Sequence, residues 1–136
     1  MTGMPQRQPR LTVTSVTLGS PDPRALAAFW ARVLGTEVVT AEGPREGEPP
    51  EAGWAQLRAP GGPTLNLEYE QAWTRPVWPA ERGRQHVTAH LDIEVDDLED
   101  ATAWALECGA TLAPHQPQEH VRVLLDPSGH PFCLFT

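Results

Sequence analysis

The sequence predicts an α+β fold built from two βαβββ modules whose mixed sheets curl into a cup. Three observations carry that expectation. The stretch from Ser15 to Gly35 recurs as His90 to Gly109, each copy running through an alternating segment, an acidic turn, an amphipathic run and a closing glycine. The spacings match as well: Asp22 and Asp97 follow the first residue of their copy by seven, and Phe29 and Trp104 follow those aspartates by seven. Each copy then leads into alternating segments joined by a Pro-Gly turn, APGGP in the first and DPSGHP in the second. Self-similarity of this kind marks a repeated supersecondary unit. In a chain of 136 residues, two such units make one domain of ordinary size.

Taken in order, residues 1–10 are polar, contain proline and show no periodicity, so they are expected to form a disordered tail. The single domain is expected over 11–136, with module one at 11–70, a linker at 71–86 and module two at 87–136. A first strand is predicted from Val13 to Gly19. Asp22 followed by Pro23 is a helix start, since the carboxylate accepts from free backbone N–H groups and proline at the first helical position loses no hydrogen bond. Leu26, Phe29, Trp30, Val33 and Leu34 then share one helical face, stopped by Gly35. Strands are predicted at Glu37 to Ala41, Trp54 to Arg58 and Thr64 to Glu70. Between the first two lies EGPREGEPPEAG, read as a lid or a surface insertion.

Module two repeats the order. A strand is predicted from Val87 to Val95, a helix from Leu98 to Cys108, and strands at Thr111 to Ala113, Val121 to Leu125 and Pro131 to Thr136. Alternation sends Val87, Ala89, Leu91, Ile93 and Val95 toward the helix and Thr88, His90, Asp92 and Glu94 into the cup. Trp30 and Trp104 sit on helical faces and are expected in the core, and Cys108 is expected as a small buried apolar residue. His115, His120 and His130 are expected as exposed turn residues.

Composition narrows the function. A formal charge of −8 with ten Lys plus Arg argues against nucleic acid, because phosphate-backbone binding needs clustered cations. No apolar run approaches the roughly 20 residues of a membrane span, and the first ten residues lack the apolar segment of a secretory signal. Two cysteines, Cys108 and Cys133, with no framework spacing fit a reducing compartment, so a cytoplasmic protein is expected.

What remains is a small-molecule site in the cup. Glu68, Asp92 and Glu94 on the inner face favour a cationic or donor-bearing ligand. Trp54, Trp73 and Trp78 are candidate walls on which a flat group would stack. Exposed sheet edges favour a homodimer.

The paired modules, FWARVLG at the end of the first helix, CGA at the end of the second, HLDIEVDD and the hairpin DPSGHPFCLF together resemble the vicinal oxygen chelate superfamily. That group includes glyoxalase I, extradiol dioxygenases and bleomycin-resistance proteins. The likeness covers nearly the whole chain outside the tail and is closest to small glyoxalase-like proteins. It implies the cupped fold, a ligand held in the cup, and in the metal-dependent members an ion held by one residue from the first and the last strand of each module. Those positions are Ser15 and His90 on the first strands, Cys133 on the last strand of module two, and either Asn66 or Glu68 on that of module one. A serine hydroxyl is a weak ligand, so the expected protein binds a small organic molecule without a tightly held metal. The alternative is a metal-dependent lyase, isomerase or dioxygenase in which Glu68, His90 and Cys133 hold Zn, Ni, Fe or Mn, with Glu68 and His90 as candidate catalytic residues. A second alternative is an interaction module without a small-molecule ligand.

Overall fold

The computed structural model describes residues 8–136; most of the expected tail lies outside the described residues. Module one comprises β1 (Ser15–Ser20), α1 (Pro23–Leu34), β2 (Val38–Glu42), β3 (Trp54–Leu57) and β4 (Thr64–Tyr69). Module two comprises β5 (Leu91–Glu94), α2 (Leu98–Cys108), β6 (Thr111–Leu112), β7 (Val121–Leu125) and β8 (Pro131–Phe135). Each module forms its own four-stranded mixed sheet, ordered β1-β4-β3-β2 and β5-β8-β7-β6. In both, the strand before the helix runs parallel to the last strand of its module, and the remaining pairs are antiparallel.

Both helices begin and end as their end residues dictate. Asp22 accepts from the Ala25 amide at 3.2 Å, and Asp97 accepts from that of Asp100 at 3.0 Å. Gly35 and Gly109 close them with φ of 64° and 119°, a region that an L side chain resists.

The predicted strand from Val87 shortens to Leu91–Glu94. Its parallel partner explains this. Leu91 pairs with Phe132, so one residue earlier the ladder reaches Pro131, which has no N–H to donate. Val87 and Ala89 consequently do not join the helix-facing row and instead line a hollow beside His90.

One core joins the modules. Leu26, Phe29 and Trp30 of α1 pack with Ala55, Leu57, Leu65 and Leu67 of the first sheet and with Ala105, Leu124, Phe132 and Leu134 of module two. The rings of Trp30 and Phe132 meet edge to face at 4.8 Å. Full burial of an aromatic side chain of this kind contributes about 2–3 kcal/mol. Trp30 is fully buried as expected, but Trp104 is 41% exposed. Its ring lies under the Arg32 guanidinium, and its indole N–H donates to the Val33 carbonyl. Cys108 is only partly buried.

A polar seam completes the joint. Asp126, in the turn between β7 and β8, is 1% exposed. It accepts from the Trp30 indole at 3.1 Å and from the Ser128 and His130 amides at 2.9 Å. Burial pushes its carboxyl above the ordinary range, outweighing His130 and the three N–H donors that pull it down. The same turn reaches back to module one: Ser128 Oγ bonds Ser20 Oγ at 2.9 Å, and His130 Nε2 donates to the Gly19 carbonyl at 2.7 Å. His130 is therefore an inter-module contact, its ring packed at a tilt against Trp73 with centroids 5.0 Å apart, rather than an exposed turn residue.

Candidate functional site

Because the helix-facing rows of both sheets enter one core, strand alternation turns the opposite rows away from it. These bare faces differ. On the first sheet, Ser15 pairs with Thr64 and Thr17 with Asn66 across β1 and β4, while Gln56 pairs with Asn66 across β3 and β4. Their side chains satisfy one another: Ser15 Oγ and Thr64 Oγ1 lie 2.7 Å apart, and Gln56 Nε2 donates to Asn66 Oδ1 at 2.9 Å. One rung further, Glu68 pairs with Trp54 and Trp54 with Glu42. There a hollow of about 400 Å³ opens, lined also by Tyr69, Arg45 and Glu48. The loop from 43 to 53 that borders it is pinned by Arg24, whose guanidinium donates to the Pro50 and Ala52 carbonyls.

On the second sheet, Asp92, Cys133 and Val123 lie in register across β5, β8 and β7. His90, just before β5, has the parity of Asp92, and its Nε2 stands 3.2 Å from Asp92 Oδ1. One donor atom from each of His90, Asp92 and Cys133 falls within 4.8 Å of the other two. Burial raises the Cys133 thiol above its usual range, and the Asp92 charge and a hydrogen bond to that carboxylate raise it further. Above this cluster lies a cavity of about 460 Å³ walled by Trp78, Pro79, Pro117, Val121 and Val123. Trp78 is braced by the ring of His115 at 5.7 Å.

Apart from Trp73, the expected site residues therefore divide into three places. Trp54 and Glu68 border the acidic hollow, whereas Ser15 and Asn66 sit in the hydrogen-bonded row beside it. Trp78, His90 and Cys133 line the second-sheet cavity, with Asp92 in the cluster at its edge. Trp73 belongs to neither; its indole N–H donates to the Ser128 carbonyl at 3.2 Å in the inter-module seam. Glu68 is outside the His90 cluster and lines a different hollow. Gln56, Tyr69, Val121 and Val123 were not singled out in the sequence. For Gln56 and the two valines, alternation with cup-facing positions was the available signal, and the run VRVLL hid it for the valines because both faces of that strand are largely covered; Tyr69 has the parity opposite to Glu68, so alternation did not point to it.

A glyoxalase-like domain model matches residues 15–135. The chain belongs to that family. No curated protein matches it. Among solved structures, this glyoxalase-like chain is similar to a glyoxalase family protein from Enterococcus faecalis, at 22% identity and TM-score 0.65 over 92% of this chain and 97% of that one. It is similar to the fosfomycin resistance protein FosX from Listeria monocytogenes, captured with Mn(II) and a dihydroxypropylphosphonic acid, at 13% identity and TM-score 0.67 over 91% and 90%. TnmS3, an antibiotic binding protein from Streptomyces sp. CB03234, aligns at 17% identity and TM-score 0.59 over 95% and 98%. These likenesses show the vicinal oxygen chelate fold.

The fold family implies a divalent ion, and the side chains present test that implication. Of the four positions expected from both modules, the Ser15 hydroxyl and the Asn66 amide oxygen are engaged by neighbours, and Glu68 lines the other hollow. The cross-module donor set is not assembled within one chain. His90, Asp92 and Cys133 are assembled. Among the described residues, no helix is long and apolar enough to cross a membrane.

Proposed function

We propose that this glyoxalase-like protein binds a small organic molecule on its bare sheet faces, as a homodimer and without requiring a tightly held metal. The observation that carries the reading is the cavity of about 460 Å³ on the second sheet, with apolar and aromatic walls and His90 and Cys133 at its polar floor. Small-molecule sites are concave, mostly apolar and fixed in orientation by a few polar groups. The acidic hollow beside Trp54 and Glu68 supplies the complementary half, suited to a cationic or donor-bearing edge. Since both sheets back onto one core, a second copy of the chain is the natural means of bringing an acidic face over an apolar one. The likeness to an antibiotic binding protein accords with sequestration as the role, and two free thiols accord with the cytoplasm.

The test is a titration of aromatic cations and anions of similar size followed by Trp emission, with light scattering on the same sample. Cations are expected to bind more tightly, with Glu68→Gln weakening them by about tenfold, the scale of one charged hydrogen bond. The scattering mass is expected at twice the 14.9 kDa chain. Equal affinity for anions, or a monomer that binds as well as the dimer, removes the composite acidic site. A metal-assisted lyase, isomerase or dioxygenase is the second reading, favoured by the proximity of His90, Asp92 and Cys133.

A further inference from the structure

We infer that the hollow beside Trp54 recognises a ligand edge that carries both charges, an ammonium group received by Glu42 and Glu68 and a neighbouring carboxylate received by Arg45. The inference rests on the reading that this hollow takes the cationic edge of a small organic ligand. It goes beyond that reading by naming a second, anionic group on the same edge.

Strand register builds the cationic half. Glu42, Trp54 and Glu68 form one row across β2, β3 and β4, so a carboxylate stands on either side of the indole, with neighbouring Cβ atoms about 5 Å apart. Trp54 is half-buried, and Tyr69 adds a second aromatic ring to the lining. An ammonium ion in such a place meets two opposite charges and the electron-rich surface of an aromatic side chain. Among the described residues, neither Glu42 nor Glu68 makes an ion pair.

Arg45 supplies the other half. It lines the same hollow as Glu42, Glu48 and Glu68, yet among the described residues its guanidinium pairs with none of them. The Glu48 carboxylate turns instead to the Arg45 backbone amide, from which it accepts at 2.7 Å. A pure cation entering the hollow meets Arg45 as a like charge, and a pure anion meets the carboxylates. A ligand with both signs satisfies both, and the guanidinium fork matches a carboxylate in bidentate geometry.

The loop that carries Arg45 is anchored at several points. The Glu48 amide donates to the Arg45 carbonyl at 3.0 Å, and Arg24 holds the Pro50 and Ala52 carbonyls. Gly53 has a φ of 127°, and a side chain there would strike the Glu42 carbonyl. Anchoring of this kind lowers the ordering cost of binding.

Probes of similar size separate the charges: L-phenylalanine carries both, its amide only the ammonium group, and N-acetyl-L-phenylalanine only the carboxylate. Titrations of the full-length protein are followed by Trp emission at about pH 6, which keeps the ammonium group charged. Phenylalanine is expected to bind about tenfold more tightly than its amide, the scale of one charged hydrogen bond, and the N-acetyl compound more weakly than either. Arg45→Gln keeps the backbone amide that Glu48 uses. It is expected to abolish the advantage of phenylalanine over its amide while leaving the amide bound as well as before or better. Arg45→Lys, which keeps the charge without the fork, is expected to retain part of that advantage. Equal binding of phenylalanine and its amide to the wild type, or an equal loss of both in Arg45→Gln, overturns the inference and leaves the cationic-edge reading standing. An amide that binds no better than the N-acetyl compound overturns that reading and the inference with it.

Discussion

The two modules share a pattern but not a role. Helix α1 buries Leu26, Ala27, Phe29 and Trp30, whereas α2 buries only Ala105. The first helix is the centre of the common core, and the second is a flank. The bare faces differ in the same sense: the first sheet's polar row is closed on itself by side-chain hydrogen bonds, and the second sheet's face is apolar around a small cluster of donors. Duplication of secondary structure thus leaves each copy free to specialise, because capping and alternation constrain the backbone while packing partners determine burial.

The largest effect that would break this comparison is at the matched tryptophans. Trp30→Ala removes a fully buried ring and the donor to Asp126 and is expected to cost about 4–5 kcal/mol in denaturant unfolding. Trp104→Ala, at the more exposed position, is expected to cost about 1 kcal/mol. Equal losses would mean that the second helix is as central as the first.

Asp126→Asn comes next and sharpens the account of the seam. It replaces an acceptor facing the Trp30 indole with either a poor fit or a second donor, at a cost of about 2 kcal/mol. Because burial raises the folded carboxyl above its ordinary value of 3.8, the contribution of neutral Asp126 is fully present below that value. It is lost as pH rises through the raised folded value. The stability gap between wild type and variant is therefore expected to shrink from acid toward neutral pH. A gap that widens would reverse the sign assigned to the buried carboxyl.

The smallest effect concerns what the modules hold in common. Asp22→Ala and Asp97→Ala each remove one N-terminal cap and are expected to cost about 1 kcal/mol apiece by chemical denaturation. A threefold difference between them would show that local capping, too, has diverged.

Much of this architecture was legible because local chemistry determined it. The cap and stop residues placed α1 at Pro23–Leu34 and α2 at Leu98–Cys108, and alternation placed β4 and β7 within a residue of where they lie. The strand expected from Val87 was misjudged because its length depends on a partner: alternation continues through His90, but pairing runs out at Pro131. Trp104 was misjudged for a related reason. A helical face is visible in periodicity, yet whether anything covers it depends on the neighbouring module.

The candidate site divides along the same line. His90 and Asp92 were identifiable from alternation, and Cys133 from the resemblance, which places it on the last strand of module two. Their separation from Glu68 was not identifiable. Sequence alone determined which residues each bare face presents, because side-chain direction alternates with a period of two whatever the surroundings. Only the tertiary structure decided that the two faces turn away from one shared core, because that arrangement rests on Trp30 meeting Phe132 and Asp126. Those contacts span about a hundred positions along the chain and leave no periodic signal in it.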